Sequence, residues 1–214
     1  MKKSIILLSG GLDSTTLMYE YQSEIAVAVS FDYGSKHNAR EIEAARLHAE
    51  KLGIEHLVIE MDFMTKYFKS SLLKGGDAIP EGAYELENLQ KTVVPFRNGI
   101  MLSIAAGLAE SRRLDKVLIA NHFGDHAVYP DCTREFIDPF IAAVKNGTIN
   151  GVEVHSPYCD INKRDIALRG KELSIDYATT YSCYNGGDIH CGRCATCVER
   201  REALDGFDTT QYEE

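Results

Sequence analysis

The chain has 214 residues, of which 44% are hydrophobic and 26% are charged, and its formal net charge is −9. This length suits one compact domain with at most a small appendage. The acidic balance counts against broad binding to nucleic-acid backbone, which needs a basic face. No apolar run is long enough to cross a bilayer, and two glycines interrupt the apolar stretch near the N-terminus, so we expect a cytoplasmic protein.

Strands and helices alternate in the first sixty residues. Apolar runs at 3–9, 25–31 and 56–60 predict buried strands, because they do not alternate with polar residues. The segments 14–22 and 37–52 have the composition and spacing of helices. This order predicts an α/β fold with a doubly wound parallel sheet.

The second half of the chain continues the alternation. Its predicted elements are a helix at 97–113, a strand at 116–120, a helix at 134–145, a short strand at 152–154, and a helix that Asn162 caps and that ends at 173. Between the halves, residues 61–92 form an irregular insertion, which is typical of a lid or partner surface and equally of a passive excursion.

A glycine-rich loop, Ser9-Gly10-Gly11-Leu12-Asp13-Ser14, joins the first strand to the first helix. Two glycines let backbone N–H groups face a ligand, and the helix start adds unpaired donors. No Gly-Lys-Ser/Thr closes the loop and no G-x-G-x-x-G is present, so it is neither a Walker A loop nor a dinucleotide fingerprint. The loop therefore favours a pyrophosphate over an ordinary turn, with Asp13 acting through Mg²⁺ or structuring the turn.

Four cysteines lie within fifteen residues near the C-terminus: Cys183, Cys191, Cys194 and Cys197. Their spacing allows one tetrahedral Zn²⁺ with no open position, which is typical of a structural site. An iron–sulfur cluster and a redox disulfide are the alternatives, and His190 is a competing ligand. We divide the chain into a nucleotide-binding and substrate domain at 1–178 and a zinc-binding tail at 179–214.

Three further segments carry candidate site residues. Asp125 and the run 129–132 follow the fourth predicted strand, where carboxylates suit a purine-like face or an amine. Cys132 in this run is a candidate nucleophile or simply a small loop residue. Arg97 begins a helix and suits a carboxylate or phosphate, or else is solvated. Lys163 is a candidate phosphate contact or a surface charge.

Taken together, these motifs resemble the PP-loop ATP pyrophosphatases, which share an adenine nucleotide alpha hydrolase-like fold, and within them the 7-cyano-7-deazaguanine synthase family. The resemblance rests on SGGLDSTT at 9–16, FDYG at 31–34, VPFRN at 94–98, YPDC at 129–132 and SCYNGGDIHCGRCATC at 182–197. These pieces span nearly the whole chain in order, and the last is the most specific.

The resemblance implies that ATP and ammonia convert 7-carboxy-7-deazaguanine to the nitrile, through an adenylated carboxylate and an amide, in queuosine biosynthesis. It implies catalytic roles for Ser9, Asp13, Ser14 and Lys163. The residues that it assigns to nucleotide binding are Leu8, Ser9, Gly10, Gly11, Leu12, Asp13, Ser14, Thr15, Phe31, Asp32 and Tyr33. Those that it assigns to the substrate are Arg97, Asn98, Asp125, Tyr129 and Asp131, and the four cysteines are its zinc ligands.

The chain departs from the family pattern around the presumed substrate. Phe96 stands where a small residue is common, and Ala127, Val128 and Thr133 flank the YPDC run with unusual residues. A related enzyme that stops at the amide or uses another amine is therefore the nearest rival. A zinc module that binds RNA is a rival of another class, against which the acidic charge counts. Relatives suggest a homodimer, and we expect no membrane partner.

Overall fold

The computed structural model describes residues 3–82 and 90–213, and a five-stranded sheet forms its centre. The strands are β1 (Ser4–Leu7), β2 (Ile25–Asp32), β3 (Glu55–Glu60), β4 (Lys116–Leu118) and β5 (Glu153–His155). All pairings are parallel, in the order β3-β2-β1-β4-β5. The predicted α/β class and parallel sheet are confirmed.

Seven α-helices lie within the described residues. They are α1 (Leu12–Glu20), α2 (Asn38–Lys51), α3 (Phe63–Tyr67), α4 (Arg97–Ser111), α5 (Arg134–Gly147), α6 (Lys163–Glu172) and α7 (Ala195–Ala203). Most bounds differ from the predicted ones by one to three residues. The cap of α6 is as predicted, since the Asn162 side chain accepts a hydrogen bond from Asp165 N. Among the described residues, no helix has the length and apolarity needed to cross a membrane.

Helices cover both faces of the sheet, as a doubly wound fold requires. Adjacent residues of β1 point to opposite sides: Ile5 packs in a cluster with Leu102 of α4, whereas Ile6 packs with Leu17 of α1 and Ile166 of α6. Each of these side chains is fully buried. The unbroken apolar run of β1 follows from this burial on both faces.

The predicted irregular insertion is packed against the core over its first part. Met61, Met64, Leu72 and Leu73 are all buried in the cluster on the α4 face of the sheet. Between them lies the short helix α3. Residues 83–89, which the insertion also includes, fall outside the described residues. The segment after β3 is thus anchored by apolar side chains that carried no clear period in the sequence.

The C-terminal segment is fastened to the sheet domain by one buried arginine. The side chain of Arg200 is fully buried, and burial lowers its pKa, although neighbouring Tyr212 and Asp208 oppose the shift. Its guanidinium donates to the carbonyl oxygen of Tyr177, which precedes the tail, and to Thr180 Oγ1 and Ser182 Oγ within it, both at 2.9 Å. These bonds satisfy a cation that would otherwise be costly to bury, and they fix the chain that leads to the cysteines.

Candidate active site

A cavity of about 230 Å³ opens at the carboxyl ends of the strands. It lies beside β1, at the point where the chain crosses from the β1-β2-β3 half of the sheet to the β4-β5 half. Open α/β sheets bind ligands at this switch point. Thirteen of the predicted catalytic, nucleotide and substrate residues line the cavity: Leu8, Ser9, Gly11, Leu12, Asp13, Ser14, Phe31, Tyr33, Arg97, Asn98, Asp125, Tyr129 and Lys163.

Four predicted residues lie outside this lining: Gly10, Thr15, Asp32 and Asp131. Gly10 has a φ of +80° and faces α2, where a Cβ would meet the Glu41 carbonyl oxygen at 2.3 Å. Asp32 accepts a hydrogen bond from Gly34 N. Asp131 accepts one from Asn98 N at 2.8 Å, and so holds the first turn of α4 in place. These residues support the wall of the cavity.

The glycine loop is shorter than the sequence predicted. Helix α1 begins at Leu12, and Gly11 is its cap with extended backbone, so Asp13 and Ser14 lie in the first helical turn. Because the first N–H groups of a helix have no intrahelical partner, this turn presents donors to the cavity. The Ser9 and Ser14 hydroxyls are 3.0 Å apart, and Ser9 N donates to Ser14 Oγ. The loop therefore has the arrangement of donors that an anion-binding loop requires.

Two oxygens in this first turn are orphaned. Within the part of the chain that the structure describes, Asp13 Oδ1 and Thr15 Oγ1 are buried without a hydrogen-bond partner. Buried polar atoms in native proteins normally have partners, so an orphan requires an explanation. Asp13 lines the cavity, so a bound cation or ligand would supply the missing partner of its Oδ1 atom.

An ionic cluster surrounds Asp13. Lys163 Nζ lies 3.3 Å from Asp13 Oδ2 and 2.6 Å from Glu199 Oε2. His122 Nε2 lies 3.6 Å from Asp125 Oδ1 and 3.9 Å from both Asp13 Oδ2 and Glu199 Oε1. His122 Nδ1 accepts a hydrogen bond from Gly124 N, which leaves the ring proton on Nε2, facing the carboxylates, when the ring is neutral.

Three carboxylates share one lysine in this cluster, which leaves an excess of negative charge. Burial raises the pKa of Asp125; His122 and Lys163 oppose the shift, while Asp13 and Glu199 reinforce it. A divalent cation is the ordinary way to offset such an excess, and carboxylate oxygens are the ligands that Mg²⁺ prefers. The donor set therefore fits Mg²⁺ together with a polyphosphate.

The opposite wall of the cavity centres on Arg97. Arg97 Nη1 donates to Tyr33 Oη at 3.1 Å, and Tyr33 Oη lies 3.4 Å from His37 Nε2. His37 Nε2 in turn lies 3.6 Å from Glu41 Oε2. Burial lowers the pKa of His37 to about 4, so this ring is neutral at pH 7. Burial raises the pKa of Glu41 to about 8, so at pH 7 a charged guanidinium and an uncharged carboxyl group stand at the two ends of a short polar chain.

Cys132 also lines the cavity, but its environment does not activate it. Burial raises the pKa of its thiol, and Asp125 and Asp131 add to the rise. Asn98 Nδ2 donates to Cys132 Sγ at 3.0 Å. A thiol held in its protonated form is a poor nucleophile, so the structure favours Cys132 as a buried packing residue.

The four predicted zinc ligands form a separate, closed cluster. The sulfur atoms of Cys183, Cys191, Cys194 and Cys197 all lie within 4.8 Å of one another, and all four residues are buried. Cys191 Sγ and Cys197 Sγ are 3.9 Å apart, which is close to the ~3.8 Å expected between two thiolates on one tetrahedral Zn²⁺. His190 Nε2 accepts a hydrogen bond from Ser182 N and stands outside the cluster.

Sequence reasoning assigned no role to several residues of the site. His37 and Glu41 on α2, Asn121 after β4 and Tyr184 in the tail all line the cavity. His122 lies near Asp13, and Glu199 pairs with Lys163. One signal was available for Glu41: it precedes the fully buried Ala45 by one helical turn, which places a carboxylate on the sheet-facing side. For Glu199 no signal was available, because its helix meets α6 only in the tertiary structure.

Comparison of the sequence with known protein families identifies a matching family. The family model for queuosine biosynthesis protein QueC matches residues 3–208. The chain belongs to the QueC family. Two QueC relatives, each named 7-cyano-7-deazaguanine synthase, come from Porphyromonas gingivalis strain W83 and Desulfotalea psychrophila. The first is 63% identical, with 99% of this chain and 98% of the relative covered, and the second is 51% identical, with 99% of both covered.

Solved structures support the fold. The structure of NMN synthetase from Francisella tularensis matches with a TM-score of 0.52 at 15% identity, over 98% of this chain and 79% of that one. At this identity the likeness concerns architecture alone. It agrees with the PP-loop-like fold that the glycine loop predicts for this QueC member.

Proposed function

We propose that this QueC protein is an ATP-dependent ligase that converts 7-carboxy-7-deazaguanine and ammonia to 7-cyano-7-deazaguanine. The observation that carries the proposal is a single cavity with an open anion cradle on one wall and Arg97 on the other. The names of relatives up to 63% identical support the same reaction.

The chemistry explains why both walls are needed. A carboxylate oxygen is a poor leaving group, and ATP would supply an adenylyl group that turns it into a good one. Attack by ammonia on the activated carbonyl then gives an amide and AMP. Loss of the amide oxygen requires a second activation, after which the nitrile forms. The cavity must therefore keep the deazaguanine in place while the nucleotide is exchanged.

The cradle residues would grip pyrophosphate. The first-turn N–H groups and the Ser9 and Ser14 hydroxyls are positioned donors that cost no reorganisation during the reaction. Lys163 offers a positive charge beside Asp13. Asp13 and Asp125 are the candidate ligands of Mg²⁺, which would neutralise phosphate charge as a Lewis acid. Phe31 lines the side of the cavity that we assign to adenosine, whereas Tyr33, whose hydroxyl accepts a hydrogen bond from Arg97, faces the acid substrate.

Arg97 would hold the acid substrate. Its planar guanidinium suits a bidentate contact with a carboxylate, and its hydrogen bond to Tyr33 fixes its direction. Asn98 and Tyr129 complete this wall, and Asp131 acts indirectly by anchoring Asn98. Most of the rate enhancement in this scheme comes from positioning the acid near the α-phosphate.

The cysteine cluster would hold one structural Zn²⁺. Its thiolates are mutually enclosed and buried, so the site offers no open position for substrate. We propose that residues 179–214 form a zinc-stabilised tail whose role is to complete the wall that Tyr184 contributes to the cavity.

The deciding experiment incubates purified protein with Mg-ATP, ammonia and the acid, and follows the products by mass spectrometry. Nitrile with AMP and pyrophosphate is expected. An amide that accumulates without nitrile would support the alternative enzyme that stops halfway. Unchanged acid would overturn the proposed function.

A further inference from the structure

The Glu41 carboxylate stands in the cavity wall without a donor of its own. Its side chain is only 18% exposed, and within residues 3–82 and 90–213 the structure gives neither oxygen a hydrogen bond. His37 Nε2 lies 3.6 Å from Oε2, beyond hydrogen-bond distance, and the ring is neutral at pH 7. A carboxyl group enclosed in this way lacks the hydrogen-bond partners that its burial calls for. A ligand in the cavity is the available source of them.

Glu41 and Arg97 define the two ends of one binding surface. Tyr33 and His37 connect them in three steps, each shorter than 4 Å. A ligand that spans this distance meets a cation at one end and a paired acceptor at the other. Its complement is a small, flat molecule with an anionic group opposite an edge of two adjacent N–H donors.

We infer that Glu41 recognises the edge of the deazaguanine that carries the ring N1–H and the 2-amino group, while Arg97 takes the 7-carboxylate. This inference rests on the proposed function and adds the residue that selects the base. Two parallel donors match the two oxygens of the Glu41 carboxylate, and by hydrogen-bonding the charged form they lower the raised pKa, so that the proton leaves on binding. The corresponding edge of adenine offers one amine beside a ring acceptor. Adenine is therefore a poor match for Glu41.

The test compares the acid with its analogue that lacks the 2-amino group, by calorimetric titration and by steady-state kinetics. The wild-type protein should bind the acid more tightly than the analogue by at least ~10-fold, because a site built for a hydrogen bond rejects a ligand without it. Glu41→Gln should weaken binding of the acid by about 10- to 100-fold, remove most of this discrimination, and leave the KM for ATP within about 3-fold.

Glu43→Gln is the matched control. Glu43 lies on the same helix but is exposed and pairs with Arg40, so its substitution should change neither affinity nor discrimination. Circular dichroism establishes that the variants are folded. If Glu41→Gln does not fold, Glu41→Asp serves instead: it keeps both acceptors on a shorter stem, so affinity should fall while discrimination persists.

The outcomes separate the two proposals. If the wild-type protein makes nitrile but Glu41→Gln still rejects the analogue, the role of Glu41 is wrong and the proposed function stands. A rise confined to the KM for ATP would move Glu41 to the nucleotide side and also overturn the inference. If the wild-type protein neither binds nor converts the acid, the proposed function falls, and the role of Glu41 with it.

Discussion

The glycine loop and the cysteine cluster are neighbours with opposite designs. Tyr181 touches both: its backbone N–H donates to Gly10 O at 2.9 Å, and its ring packs with Cys183. In the cluster, four buried cysteine sulfur atoms face one another, which leaves no position for a substrate. In the loop, donors face a cavity, and Asp13 keeps a buried oxygen without a partner among the described residues. Buried sulfur atoms that face only one another favour a structural role, whereas N–H and hydroxyl groups that face a cavity favour ligand binding.

The largest effect should come from opening the closed site. Cys194→Ala removes one of four thiolates, and because metal binding is coupled to folding, we expect about 4 kcal/mol or more to be lost from the free energy of unfolding. Zinc content, measured by mass spectrometry, should fall from about one per chain.

The control for this substitution is Cys159→Ala, since Cys159 is equally buried but stands outside the cluster. It should keep the zinc and lose about 1 kcal/mol. Equal melting temperatures for the Cys194 variant and the wild-type protein would contradict a structural metal.

A substitution in the glycine loop should instead lower the activity and leave the stability nearly unchanged. Asp13→Ala removes the orphaned carboxylate, so kcat for nitrile formation should fall by about 10²- to 10³-fold. The melting temperature should change little, because Asp13 Oδ1 has no hydrogen-bond partner among the described residues and Lys163, which loses Oδ2, keeps its shorter ion pair with Glu199. Asp115→Ala, which removes a surface carboxylate paired with Lys3, should leave kcat unchanged. Retained turnover in the Asp13 variant would refute its role.

The close packing of the glycine loop against α2 can be tested with substitutions at two glycines. Gly10→Ala places a Cβ 2.3 Å from the Glu41 carbonyl oxygen at a φ of +80°, so it should cost about 2 to 4 kcal/mol of stability. Gly107→Ala, in α4 with open space around it, should instead stabilise by about 0.5 to 1 kcal/mol. Chemical denaturation measures both, and two changes of the same sign would disagree with this packing.

The smallest effect concerns Glu41 and pH. Burial raises the pKa of Glu41 from 4.5 to about 8, so between these values the folded protein binds more protons than the unfolded chain. The free energy of unfolding therefore falls as pH rises through this window. Glu41→Gln removes the titration, and its stability relative to wild type should rise by about 1 to 3 kcal/mol from pH 5 to pH 8. Urea denaturation measures the free energy of unfolding of both proteins at both pH values. The same difference between variant and wild type at pH 5 and at pH 8 would refute the raised pKa.

The sequence determined the parallel sheet, the glycine loop and the cysteine set. Burial on both faces leaves an unbroken apolar run such as that of β2. Adjacent glycines flanked by serines, with an aspartate before the second serine, favour a phosphate site over an ordinary turn. Cysteine spacing is local as well, so the four cysteines that cluster in the structure could be chosen before any tertiary structure was known. The bounds of α1 were less accurate, because the sequence did not reveal that Gly11 caps the helix.

Only the tertiary structure decided which polar side chains face the cavity. Periodicity identifies the buried face of α2, but the placement of Glu41 opposite Arg97 depends on how α2 and α4 pack across the sheet. Likewise, Glu199 reaches Lys163 because α7 packs on α6, although 36 residues separate them in sequence. Asp131 anchors Asn98 instead of facing the ligand, since its carboxylate meets the first turn of α4. Contacts between distant segments depend on packing, which local patterns do not encode.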